Sequence, residues 1–107
     1  MENWTSTRDC GSFLSQVYAG TLVSKNASER MMQLLLGQTR RTKIPAGVPS
    51  GVKVANKTGE LAAVQNDVAI VFGTHPYVLA VMSSDISSAV APSQITELSR
   101  AVWDAAQ

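Results

Sequence analysis

"VANKTGEL", residues 54–61, begins as a strand that ends on a lysine, a threonine and a glycine. Val52 and Val54, β-branched and two apart, read as a strand, and Lys57-Thr58-Gly59 ends it with an ammonium, a hydroxyl and a residue without a side chain. Successive strand side chains face opposite sides, so Lys57 and Thr58 point apart until the chain bends at Gly59. With no Cβ there, another backbone or a ligand can approach closely. A cation, a hydroxyl and free backbone N–H groups at a strand edge suit a carboxylate and a carbonyl oxygen, and the Glu60 N–H is placed to serve as an oxyanion donor. The triplet alone also fits a solvated strand end, so the surrounding sequence has to decide.

Working outward, two continuous apolar runs, Val68 to Phe72 and Tyr77 to Met82, read as strands covered on both faces. The short link Gly73 to Pro76 joins them as an antiparallel hairpin. Residues 38–51, with two prolines, two glycines and several charges, read as a loop. Upstream, Thr7 to Leu22 has Cys10, Phe13, Leu14, Val17 and Tyr18 at helical spacing, with Ser6 or Thr7 as cap and Asp9 in the first turn. A second helix is predicted from Ala27 to Leu36, capped by Asn26 with Glu29 and stopped by Gly37; it is apolar almost all round and therefore expected to be well buried. Pro92 opens a last helix, Ser93 to Ala106, whose Ile95, Leu98, Val102 and Ala105 share a face. The order is α-α-β-β-β-α: an α+β chain with a three-stranded antiparallel meander and helices on both faces.

The chain has 107 residues, enough for a single segment or small domain over 1–107. With 45% hydrophobic and 16% charged residues it is globular rather than disordered. Nine basic and eight acidic residues give a net charge of +1, which argues against nucleic acid as a partner because no basic field gathers phosphates. Arg40-Arg41-Thr42-Lys43 reads as a solvated basic loop. Cys10, the sole cysteine, permits no internal disulfide and reads as a small core residue; His75, the sole histidine, reads as loop surface. No metal or other cofactor is expected. No signal peptide and no apolar run long enough to span a membrane appears.

Several short motifs now stand in a fixed order: Thr7-Arg8-Asp9, Ala27-Ser28-Glu29-Arg30, Val48-Pro49-Ser50-Gly51, Lys57-Thr58-Gly59, Asn66-Asp67 and Tyr77-Val78-Leu79-Ala80-Val81. Over Thr7 to Trp103 this set resembles the C-terminal part of the class A β-lactamase-like serine hydrolases, whose S-x-x-K, S-D-N and K-T-G set includes this triplet. The resemblance implies a partial β-lactamase/transpeptidase fold. It also implies a chemistry in which an active-site serine attacks a β-lactam or acyl-D-Ala-D-Ala carbonyl and water releases the acyl group. Carried onto this sequence, Lys57 would supply positive charge at the serine, Thr58 would hold the substrate carboxylate, Gly59 would allow strand-like pairing with the substrate, and the Glu60 N–H would form half of the oxyanion hole. Members of the family are usually secreted, periplasmic or at the cell surface.

The chain also departs from that pattern. The family's nucleophile motif Ser-x-x-Lys, its Ser-Asp-Asn and its deacylating glutamate lie upstream of the triplet, and this sequence begins after them. Ser50-Gly51-Val52-Lys53 matches the first motif only formally: it holds a glycine beside a proline and leads into a strand, where residues three apart face opposite sides. Ser24-Lys25-Asn26 fits the looser second motif at a helix junction, where the family places no catalytic group. Glu60-Leu61 replace the small residues that commonly follow the triplet. The expectation is therefore a substrate-binding segment with no catalytic residue of its own, inactive alone. It would be found as a homo-oligomer or with its N-terminal half; the alternative is a non-catalytic ligand-binding or oligomerising module.

Overall fold

A computed structural model describes residues 5–61, 64–84 and 89–107. Helix α1, Thr7–Ala19, and helix α2, Lys25–Leu36, precede a 3-10 turn at Pro45–Gly47; strands β1, Lys53–Leu61, β2, Val64–Phe72, and β3, Tyr77–Val81, follow, and helix α3, Ala91–Ala106, closes the described chain. The strands form one antiparallel sheet in the order β1-β2-β3. This is the expected α+β meander.

Alternation along the strands builds two cores. Val54, Ala69 and Val71 face α3 and pack with Ile44 and Ile95. Ala55 and Ile70 face α1 and α2 and pack with Leu14 and Val17. Burial of both sheet faces explains why β2 reads as an unbroken apolar run.

Four expectations are corrected at element ends. The first helix stops at Ala19 rather than Leu22, because Gly20 takes a left-handed conformation (φ 77°) while the Gly20 and Thr21 N–H groups bond back to Val17 O and Gln16 O. The second helix starts two residues early, its N-cap being Ser24, whose hydroxyl accepts from Ala27 N. Pro92 sits inside the first turn of the third helix, as expected, but Ala91 already belongs to it. The first two strands are longer than their apolar cores: β1 continues through Lys57-Thr58-Gly59 to Leu61, and β2 begins at Val64, with Thr58 opposite Asp67, Gly59 opposite Asn66 and Glu60 opposite Gln65. Gly, Asn and Asp are poor strand formers, yet here the ladder and buried side-chain hydrogen bonds hold them extended.

Burial corrects three further readings. Leu34 of α2 is 70% exposed, and of that helix only Ser28 is buried, its hydroxyl exchanging hydrogen bonds with the Leu22 backbone. Cys10 is half-buried rather than in the core. Lys43, at the end of the run read as a solvated loop, is 1% exposed.

Candidate functional site

The parity expected for the triplet holds. Thr58 lies on the same face of β1 as Val54 and Asn56, toward α3, and Lys57 on the face of Ala55, toward α1 and α2. Lys57 is exposed and its ammonium donates to the carbonyl of Thr58 at 2.6 Å. Thr58 is 8% exposed. Lys57, Thr58, Gly59 and Glu60 line a polar depression of about 380 Å³ with Gln38, Thr39 and Arg40. All four residues singled out from the sequence are thus brought together, and Arg40, which the sequence reading left in a loop, joins them. Larger apolar grooves elsewhere, such as the one of about 460 Å³ beside Tyr18, Pro76 and Tyr77, gather no comparable set of charged groups.

Arg40 is placed by a chain of contacts that begins at α3. Ser99 Oγ donates to Ile44 O at 2.8 Å, and Thr96 Oγ1 lies 3.0 Å from both Thr42 O and Lys43 O. Gly47 sits so close to the helix that no side chain fits. These contacts clamp residues 42–47 onto α3 and send the preceding residues across the end of β1. Arg40 Nη1 then reaches Glu60 Oε2 at 2.6 Å, while buried Lys43 Nζ donates to Glu60 Oε1 at 3.0 Å and to Asn66 O at 3.2 Å. The Lys43 ammonium holds the Glu60 carboxyl below its ordinary value, with Arg40 acting in the same direction and desolvation opposing.

Beneath the depression lies a second polar layer that sequence reading missed. Asp67 is fully buried; its carboxylate accepts from Ile44 N at 2.9 Å and from Asn56 Nδ2 at 3.1 Å, and Asn56 Nδ2 also donates to Arg40 O. Burial pushes the Asp67 carboxyl up, against the lowering effects of those two donors, of Lys43 and of the Val68 N–H. The available signal was a polar residue two positions from a core residue of the same strand face: Asn56 beside Val54 in β1, and Asp67 beside Ala69 in β2.

The residues of the formal Ser-x-x-Lys match do not line the depression. Ser50 lies in a turn closed by Val52 N to Pro49 O, with Gly51 at φ 92°, and Lys53 opens β1 with its side chain in solvent. The two lysines nearest the depression give their ammonium groups to Glu60, Asn66 O and Thr58 O. His75 is exposed, as expected. Among the described residues no helix is long and apolar enough to cross a membrane, and no group of three or more His, Cys, Asp or Glu is gathered as metal ligands would be.

The fold recurs in solved structures. The beta-lactamase from Sphaerobacter thermophilus DSM 20745 is 25% identical and superimposes with a TM-score of 0.92 over 99% of this chain and 42% of its own length. PBP-A is 27% identical, with a TM-score of 0.87 over 94% of this chain and 39% of its own. A PBP-A variant captured as an acyl-enzyme complex with penicillin G is 28% identical, with a TM-score of 0.86 and the same coverage. The chain therefore spans about two-fifths of the length of these proteins. No curated protein matches it. Residues 1–106 match the beta-lactamase enzyme family, and with the fold in agreement the chain belongs to that family.

Proposed function

We propose that this chain is the substrate-recognition segment of a β-lactamase-like serine hydrolase. In this reading the strand Lys57-Thr58-Gly59-Glu60 holds the carboxylate and the carbonyl of a β-lactam or a related acyl-D-Ala ligand, while the nucleophile is not among its 107 residues. The observation that supports it is the convergence of Lys57, Thr58, Gly59 and the Glu60 backbone on one polar depression at the outer strand of the sheet. Thr58 offers its hydroxyl to a carboxylate, and Lys57 adds positive charge. In an antiparallel strand the N–H and C=O of alternate residues share a side. The Glu60 N–H therefore has the same direction as the Thr58 carbonyl that Lys57 reaches, an arrangement suited to a ligand carbonyl.

Incubation with benzylpenicillin is expected to leave the intact mass of the chain unchanged, since among the described residues no serine has a positioned base. Calorimetry at high protein concentration should detect reversible binding that Thr58→Ala weakens about tenfold, the loss of one hydrogen bond to a charged group. A mass gain equal to the drug would contradict the missing nucleophile, and binding indifferent to Thr58→Ala would contradict the site.

The same reading carries an expectation of assembly. Leu34, Leu61 and Leu98 are exposed, and β1 and β3 each leave one side unpaired among the described residues. Unpaired edges and exposed apolar groups favour association. Sedimentation equilibrium at low micromolar concentration is expected to give a homo-oligomer, most simply a two-fold dimer, unless the N-terminal half is supplied. A cooperatively folded monomer would contradict this.

A further inference from the structure

The residue after Gly59 is a glutamate, and its carboxylate does not point into empty solvent. Both oxygens are taken, Oε2 by the largely exposed Arg40 at 2.6 Å and Oε1 by buried Lys43 at 3.0 Å. Two-point capture by a guanidinium and an ammonium is what a small carboxylate ligand would receive. Arg40 lines the depression together with Lys57 and Thr58 and is the one guanidinium there. Lys43 faces away from it, committed to Glu60 and Asn66 O below the surface. Glu60 thus stands between a surface cation that a ligand can reach and a buried cation that it cannot.

We propose that Glu60 is a built-in competitor for anionic ligands: its carboxylate engages the Arg40 guanidinium and reduces the advantage that a carboxylate-bearing acyl ligand has over its neutral form. This rests on the proposed function for the ligand class, but the occupation of Arg40 does not. Glu60 takes an Arg40 N–H and sets its negative charge against the guanidinium, so a ligand carboxylate drawn to Arg40 competes with Glu60, whose other oxygen buried Lys43 holds in place. Glu60→Gln keeps an acceptor for Lys43 and removes the charge that detains Arg40; Glu60→Asp keeps the charge and shortens the reach by one methylene.

The test compares benzylpenicillin with its methyl ester on the wild-type chain, Glu60→Gln and Glu60→Gln with Arg40→Ala. Taking the ratio of the two affinities cancels effects that act on both probes alike. Glu60→Gln is expected to shift that ratio about tenfold toward the acid, and adding Arg40→Ala to abolish the shift. Should Glu60→Gln fail to fold, Glu60→Asp is expected to move the ratio in the same direction by a smaller factor. An unchanged ratio, or a shift that survives Arg40→Ala, overturns the proposal. In parallel, the Arg40 side-chain N–H resonances are followed by NMR during titration with acetate. They are expected to stay put in the wild type and to move in Glu60→Gln; movement in the wild type, or none in the variant, overturns the proposal. If neither penicillin probe binds any form while acetate moves Arg40 only in the variant, the functional reading fails and the competitor role stands.

Discussion

Gly47→Ala is expected to destabilise the fold by about 3 kcal/mol, the upper range for forcing extra volume into a packed site. A Cβ at Gly47 would stand 2.5 Å from the backbone oxygen of Thr96 and 2.6 Å from Ser99 Cβ. Neither is a flexible side-chain end, so the 3-10 turn and α3 have to separate. That separation strains the hydrogen bonds from Thr96 and Ser99 that fix residues 42–44, and with them the position of Arg40 and Lys43 beside β1. Urea unfolding measures the effect. Gly11→Ala is the control: nothing lies within 4 Å of that added methyl, α1 continues through the position, and a gain of about 0.5–1 kcal/mol is expected from helix propensity. Equal, small effects at the two glycines would show that the loop is not clamped to α3 as described.

The second large effect is expected at Asp67. Asp67→Ala removes the acceptor for the buried Ile44 N–H and one of the two acceptors of Asn56 Nδ2, and it removes a buried carboxyl that interacts electrostatically with Lys43. A loss of about 3–4 kcal/mol is expected, the range for breaking a buried charged network by deleting one member. Asp67→Asn should lose less, since its carbonyl can still accept from Ile44 N, although its amide then faces the Asn56 donor. The pH dependence separates charge from shape. The folded carboxyl titrates above its ordinary value of 3.8, so between that value and the raised one the folded state holds the proton more tightly than the unfolded chain does. The Asp67 contribution is therefore fully present below 3.8 and declines as pH rises through the raised value. Glu60 has the opposite sign: its carboxyl titrates below its ordinary value, so its contribution is present at neutral pH and lost as pH falls. Denaturant midpoints of wild type and Asp67→Asn across the acidic range should converge as pH rises, whereas a gap that widens with pH would contradict the buried carboxylate.

Much of this was legible from residue patterns. The apolar run Val68 to Phe72 reads as a strand covered on both faces, Gly73 to Pro76 reads as a short hairpin link, and both elements stand in the structure. Lys57-Thr58-Gly59, singled out by its motif, lines a polar depression. What the pattern could not give was the environment of charges whose partners are far away in sequence. Lys43 follows two arginines and looked like surface; it is buried because Glu60 and the Asn66 carbonyl meet it across the sheet. Asn66-Asp67 stand ahead of the apolar run that begins at Val68, and both residue types favour turns over strands. They lie inside β2 because the Asp67 carboxylate finds Ile44 N and Asn56, partners that only the folded loop supplies. Leu34 and Leu36 look alike in an apolar helix, and only the packing of α2 distinguishes the exposed Leu34 from Leu36, which is partly buried against the core.

The most direct measurement for the central claim is a two-dimensional ¹H–¹⁵N NMR titration of the 107-residue chain with benzylpenicillin. Shifts are expected to be confined to the amides of Gln38 to Arg40 and Lys57 to Glu60, in fast exchange at low affinity, and to be lost in Thr58→Ala. Shifts centred on the groove beside Tyr18 and Tyr77, or a pattern around Lys57 to Glu60 that Thr58→Ala leaves intact, would contradict it.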